Sequence, residues 1–210
     1  MTIARARRAL VLLSALLLTA CAGSKPALFE GPPDPSGFLA DYSTMRPSSR
    51  HEGAWYQQSR TLSNYHAFIV DTPVVLAGRT TRGTPISERT RATLARDLKL
   101  ELETALSATH DLATAPGPGV ARVRTALTSI ARSRDTRDGR VLVGGASGEI
   151  EFVDTLTGRS IAAAVERDFD QDPHDPNSED AYHDARVTFK HWSSRVAAWL
   201  RDADQLATRD

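Results

Sequence analysis

The stretch SGEIEFVDTLTGRSIAAAVER, Ser147–Arg167, decides the fold. Two runs of alternating character flank Thr155-Leu156-Thr157-Gly158. Alternation at period two marks half-buried strands, and a short turn between two such runs marks a hairpin. A four-residue loop pairs Asp154 with Arg159. It sets Phe152 opposite Ile161 and Ile150 opposite Ala163, all on one side. Glu149 and Glu151 then share a wet side with Ala162 and Ala164. A slip of one residue would put Glu151 opposite Ala163 and break the faces. Gly158 suits a positive φ in the loop.

Working upstream, Val120 to Ile130 also alternates. Ala121, Val123, Thr125 and Leu127 face one way; Arg122, Arg124 and Thr128 face the other. The break before it is Pro116-Gly117-Pro118-Gly119. Leu94, Leu98, Leu102 and Ala105 recur at helical spacing. They predict a helix that Thr84-Pro85 or Ser87 caps and that runs to about Ala108. Tyr65 to Leu76 is rich in β-branched and aromatic residues and reads as a strand, with Pro73 at a bend or edge.

Ser133 to Arg140 is a polar loop. Downstream, Asp168 to Asp180 is an acidic loop with Pro173 and Pro176. Ala185, Phe189, Trp192, Val196, Trp199, Ala203 and Leu206 then step by four and three, the stripe of an amphipathic helix. The fold class that follows is α+β: a mostly antiparallel sheet of about four strands with two amphipathic helices packed on one face. The first strand–helix–strand unit fits a right-handed parallel crossover.

The other end of the chain carries an address. Arg5, Arg7 and Arg8 precede a nearly unbroken apolar run, Ala9 to Leu18. That run is about half the ~20 residues a membrane span needs, and it matches a signal peptide. Leu18-Thr19-Ala20-Cys21 follows directly. It resembles the lipobox of bacterial lipoproteins, in which small residues flank the scissile bond and the thiol accepts a diacylglyceryl group. Cys21 is the only cysteine in the chain. An internal disulfide is therefore impossible, and lipidation would consume a thiol exposed to an oxidising compartment.

The expected organisation is a signal peptide over 1–20 and a lipidated, Pro-rich tether over 21–54. A single α+β periplasmic domain then spans 55–210. Phe38, Leu39 and Tyr42 predict that the end of the tether docks on the domain. The lipid on Cys21 (diacylglycerol, an N-acyl chain, palmitate in type) is the only attached group the sequence calls for; no other cofactor is expected. Removing residues 1–20 leaves 23 basic side chains against 26 acidic ones, a net charge near −3. Such a balance argues against nucleic acid and against a polybasic membrane contact.

Candidate sites are few. Asp168, Asp170 and Asp172 with Glu179 at the twelfth position imitate a calcium loop, but Pro173 stands where the sharp turn wants glycine, and no helix precedes it. Glu149, Glu151, Asp154, Glu166 and Asp168 could gather at the hairpin for acid–base work. The competing reading pairs Glu149 and Glu151 with Arg122 or Arg124. The six histidines, His51, His66, His110, His174, His183 and His191, show no i, i+4 ligand pair. Gly145-Ala146-Ser147-Gly148 fails the nucleophile-elbow pattern because Glu149 takes the last glycine's place. Trp192 and Trp199 belong to the apolar stripe, whereas Trp55 and Tyr56 are freer to bind.

Several pieces resemble an uncharacterised family of bacterial lipoproteins, domain of unknown function 3313. They are Ser36-Gly37-Phe38-Leu39 with Asp41-Tyr42, and Pro116 to Gly119 leading into Val123-Arg124 and Ala126-Leu127-Thr128. Glu149 and Glu151, Asp154 with Thr157-Gly158, and the closing helix with Trp192 complete the set. The resemblance implies a lipoprotein of the cell envelope and carries over no catalytic residue. Ala22, in place of Asp, implies the outer membrane of a Gram-negative cell, on its periplasmic face. The functional expectation is a non-enzymatic interaction module that binds another envelope protein. The alternatives are an envelope-polymer enzyme using the hairpin carboxylates and a ligand- or calcium-binding lipoprotein.

Overall fold

The computed structural model describes residues 34–57, 60–135, 141–142, 144–168 and 180–207. In chain order the strands are β1 (Arg46–Pro47), β2 (Ala54–Gln57), β3 (Ala67–Val70), β4 (Val74–Val75) and β5 (Asp111–Leu112). They continue with β6 (Val120–Ala131), β7 (Arg134–Asp135), β8 (Val141–Leu142), β9 (Gly145–Asp154) and β10 (Ser160–Asp168). Helix α1 (Glu88–Ser107) lies between β4 and β5, and α2 (His183–Ala207) closes the described chain. A 3-10 turn spans Arg60–Asn64.

The main sheet has eight strands in the order β1-β2-β10-β9-β6-β3-β5, with β4 also on β6. From β1 to β6 the pairs are antiparallel; β3 and β4 on β6, and β5 on β3, are parallel. The expected four-stranded, mostly antiparallel sheet is therefore wrong in strand number and in direction, although the class is α+β. The reason is length. β1, β4 and β5 have two residues each and β2 has four, too few to carry a period-two pattern. The parallel half follows from α1, which crosses between β3 and β6 and brings the chain back in the same direction. Residues 134–135, inside the stretch that reads as loop, pair with 141–142 just beyond it in a separate two-stranded ribbon.

Two local irregularities shape the sheet. β3 and β4 lie on one edge of β6, opposite Val120–Val123 and Ala126–Leu127. They are parts of one strand interrupted at Asp71-Thr72-Pro73, where Pro73 has no N–H to give. The hairpin keeps its expected register only at the mouth. Asp154 N–H donates to Arg159 O at 2.9 Å, and Gly158 has φ +70°. A bulge between Ser160 and Ala162 then shifts the pairing by one, so that Glu151 does face Ala163. The faces survive because the bulge absorbs a residue. Ile161 and Ala162 both enter the main core, and Ala163 and Val165 turn to the opposite side.

The main core fills the space between the sheet and both helices. Leu94, Leu98, Leu102 and Leu106 of α1 meet Ala185, Phe189, Trp192, Val196 and Leu200 of α2 over Phe68, Val123, Leu127, Ile150 and Phe152. Ser87 caps α1 by accepting from Thr90 N–H. Arg186 ties the helices together through its ion pair with Asp97 at 2.7 Å. A second, smaller cluster lies on the other face of the sheet. There Leu39, Met45, Ala163 and Val165 are buried, flanked by Phe38, Tyr42 and Trp55.

Candidate functional site

Alternation along β9 puts Ile150 and Phe152 into the main core and Glu149 and Glu151 on the opposite face. That face is not wet. Glu149 is 2% exposed and Glu151 3%. The cover is the segment Ser36–Met45, which lies across β9 and β10. Both oxygens of Glu149 bond to it: Ser36 N–H donates to Oε1 at 3.1 Å, and the Tyr42 hydroxyl donates to Oε2 at 2.6 Å. Tyr42 Oη in turn accepts from Gly37 N–H at 3.0 Å and Leu39 N–H at 3.2 Å. Burial holds the Tyr42 phenol above its ordinary range, and the bond to Glu149 adds to the rise.

Glu151 finds its partner across the sheet. Arg124 on β6 is its register neighbour and donates to it at 2.8 Å. The guanidinium also lies over the Phe38 ring, 5.1 Å from its centroid. The expected pairing of these glutamates with a β6 arginine thus holds for Glu151, whereas Glu149 belongs to the N-terminal segment. Sequence reasoning missed this partner. The available signal was Phe38, Leu39 and Tyr42, which announced docking without saying on what.

The carboxylates do not gather at one site. Glu166 points to the helix side, where Arg195 donates to it at 2.8 Å and Tyr56 at 3.0 Å. Burial and this carboxylate push the Tyr56 phenol far up. Asp154 sits in the hairpin turn. It accepts from the Thr157 hydroxyl and N–H and from the Tyr65 hydroxyl, which lowers it to about 2. Trp55 packs in the small cluster and Tyr56 stands edge-on to Trp199. Neither is the free binding surface anticipated for it. Ser147 is a buried strand residue, not a turn nucleophile.

Of the histidines, His110 is enclosed, its ring 6% exposed and 3.4 Å from Asp204. His51 and His66 are exposed, and His174 lies outside the described residues. So do Leu18, Thr19, Ala20 and Cys21, and so do Asp170, Asp172 and Glu179. Asp168 ends β10, and its side chain is likewise outside. Among the described residues no three His, Cys, Asp or Glu side chains converge as metal ligands. Nor is any described helix long and apolar enough to cross a membrane.

One match decides the family. The model of a protein family of unknown function, DUF3313, covers residues 34–196. The chain belongs to the DUF3313 family. Its match begins at the covering segment, so that segment is part of the DUF3313 unit and not an appendage to it. No curated protein matches the chain. Solved structures similar to this DUF3313 chain include the PelC dodecamer of Paraburkholderia phytofirmans. It is 10% identical, over 70% of this chain and 96% of that one, with a TM-score of 0.42. A Xanthomonas campestris protein of the DUF330 family is 12% identical over 70% and 90%, TM-score 0.44. A minor lipoprotein of Acinetobacter baumannii is 10% identical over 66% and 92%, TM-score 0.35. At such identity and overlap no assignment transfers from them.

Proposed function

We propose that this chain is a lipid-anchored bacterial envelope lipoprotein whose folded part is a non-enzymatic interaction module. The observation that carries the reading is Leu18-Thr19-Ala20-Cys21 behind a basic and then apolar leader, with Cys21 the only cysteine. Three acyl chains on one residue anchor stably, because each buried CH₂ adds ~0.8 kcal/mol. Residues 22–33 include Pro26, Pro32 and Pro33. Extended at ~3 Å per residue, these twelve would set the folded part within about 40 Å of the bilayer.

The engaged carboxylates support the non-enzymatic side of the reading. Both oxygens of Glu149 and of Glu166, and one oxygen of Glu151, accept bonds that hold segments together. A general acid or base needs a proton within reach of substrate. Ala22 favours the outer membrane, with the module on the periplasmic face and another envelope protein as its partner.

The test has two stages. Cells fed radiolabelled palmitate should label the wild-type chain and not Cys21→Ser; equal labelling of both would overturn the anchor. Crosslinking in living cells should then recover a few stoichiometric envelope proteins with the wild type. Recovery of abundant background proteins alone would overturn the module.

A further inference from the structure

A cavity lies inside the main core, between the sheet and both helices. About 20 Å³ of it is open to the centre of a water molecule. Its walls are mostly apolar: Leu98 and Leu102 of α1, Val196 of α2 and Ile150 of β9. Three polar side chains interrupt them, Thr125 of β6, Glu166 of β10 and Trp192 of α2. Thr125 is 4% exposed and Trp192 5%. Among the described residues, neither Thr125 Oγ1 nor Trp192 Nε1 has a hydrogen-bond partner.

The fold brings these two atoms to one place. β6 alternates, so Thr125 shares the core face with Val123 and Leu127, and its register neighbour on β9 is Ile150. Trp192 packs over Gly148 of the same strand, where a Cβ would stand 2.7 Å from its ring. Valine at 125 would fill the same space without a hydroxyl. A buried hydroxyl or indole N–H left unpaired is costly, and two of them line one small cavity.

We infer that this cavity is a binding site for a single water molecule, which accepts from Trp192 Nε1–H and donates to Thr125 Oγ1 and Glu166. Size decides the class of ligand. A water needs roughly 10–15 Å³ of such room and two to four polar partners. The cavity meets that need for one water and is far too small for a sugar, an acyl chain or a hydrated metal ion. Charge decides between water and an ammonium ion of similar size. The indole offers only a donor, which repels a cation, and Arg195 already brings its positive charge to Glu166. Glu166 retains room to accept: among the described residues its Oε1 takes one bond, from Tyr56, and a carboxylate oxygen can take two. The water thus ties α2 to β6 and β10 from inside the core. The inference is independent of the lipid anchor.

The test is a crystal structure of the full chain carrying Cys21→Ser, at a resolution that shows ordered water. Density for one water within about 3.2 Å of both Trp192 Nε1 and Thr125 Oγ1 is expected. A dry cavity, or a direct bond from Trp192 Nε1 to a protein acceptor, overturns the inference. In solution, ultraviolet resonance Raman reads whether the Trp192 indole N–H is hydrogen-bonded, once the spectrum of Trp192→Phe is subtracted. A bonded signal is expected in the parent chain and in Thr125→Ser, which keeps the hydroxyl. Thr125→Val keeps the shape and removes one of the three partners, so its indole signal should shift toward the unbonded form. An unbonded indole in the parent chain overturns the water, and a Thr125→Val signal identical to the parent overturns the bridge to β6. If Thr125→Val fails to fold, the parent and Thr125→Ser readings decide.

Discussion

Tyr42→Phe removes one oxygen and leaves the ring, so its cost reports the bonds that this oxygen makes, chief among them the one between the covering segment and Glu149. The hydroxyl donates at 2.6 Å to a carboxylate that is 2% exposed. Hydrogen bonds to a charged group contribute ~1.5–3 kcal/mol. The same oxygen also accepts from Gly37 and Leu39. Gly37 is exposed, so water replaces that bond at little cost; Leu39 is buried and loses more. The expected destabilisation is about 2–3 kcal/mol. At ~2–4 °C per kcal/mol for a chain of this size, the midpoint falls by about 4–12 °C. Urea unfolding of Tyr42→Phe, Glu149→Gln and the double variant closes the cycle. A coupling of about 1–2 kcal/mol is expected, as for residues in direct contact. Additive losses, or a loss below about 0.5 kcal/mol for Tyr42→Phe, would refute the reasoning. The phenol gives an independent check. Its folded value lies above the ordinary 10, so its stabilisation is complete below pH 10. It is lost as pH rises through the folded value. The alkaline limb of the stability profile should therefore be shallower in Tyr42→Phe.

Gly148 faces α2, and a Cβ there would lie 2.7 Å from Trp192 Cζ3 and 3.0 Å from Ala126 O. Gly148→Ala should cost about 1–3 kcal/mol as overpacking, with part returned by Trp192→Phe in denaturant titrations. Arg195→Met strands Glu166, 7% exposed at the side chain, with Tyr56 as its remaining named donor. A loss of about 3–5 kcal/mol is expected, the range for a buried pair broken on one side. Arg195→Met with Glu166→Leu should recover most of it in the same titration. Asp154 is lowered from 3.8 to about 2. Its contribution is present above pH 3.8 and is lost as pH falls through about 2. Thermal midpoints taken between pH 4 and pH 2 should slope less in Asp154→Asn than in the wild type.

The helices were legible because each repeats its pattern over 20 residues or more. The cap at Ser87 and the stripe from Ala185 to Ala203 needed nothing outside the segment itself. The long strands β6, β9 and β10 were legible for the same reason. What failed was information that sits in a partner. Two-residue strands such as Asp111–Leu112 exist because a neighbour's edge is open, here that of β3. The bulge at Ile161 exists because the core accepts two successive side chains there. Neither property is written in the strand's own residues.

The misreading of Glu149 and Glu151 shows the same limit at the candidate site. A strand that alternates Glu with Ile and Phe has one sequence whether its second face meets water or meets protein. Deciding between them takes the covering element, and this one comes from 107 to 113 residues away. A buried carboxylate without donors is costly, so the pattern does set a condition: if the face is covered, the cover must bring hydrogen-bond donors. Ser36 and Tyr42 meet that condition, and Arg124 meets it for Glu151. The glutamates on β9 and the Ser-Gly-Phe-Leu…Tyr segment are therefore two halves of one device. Replacing either half alone should weaken the attachment of the segment; replacing both together with apolar residues of like shape should cost much less than the sum.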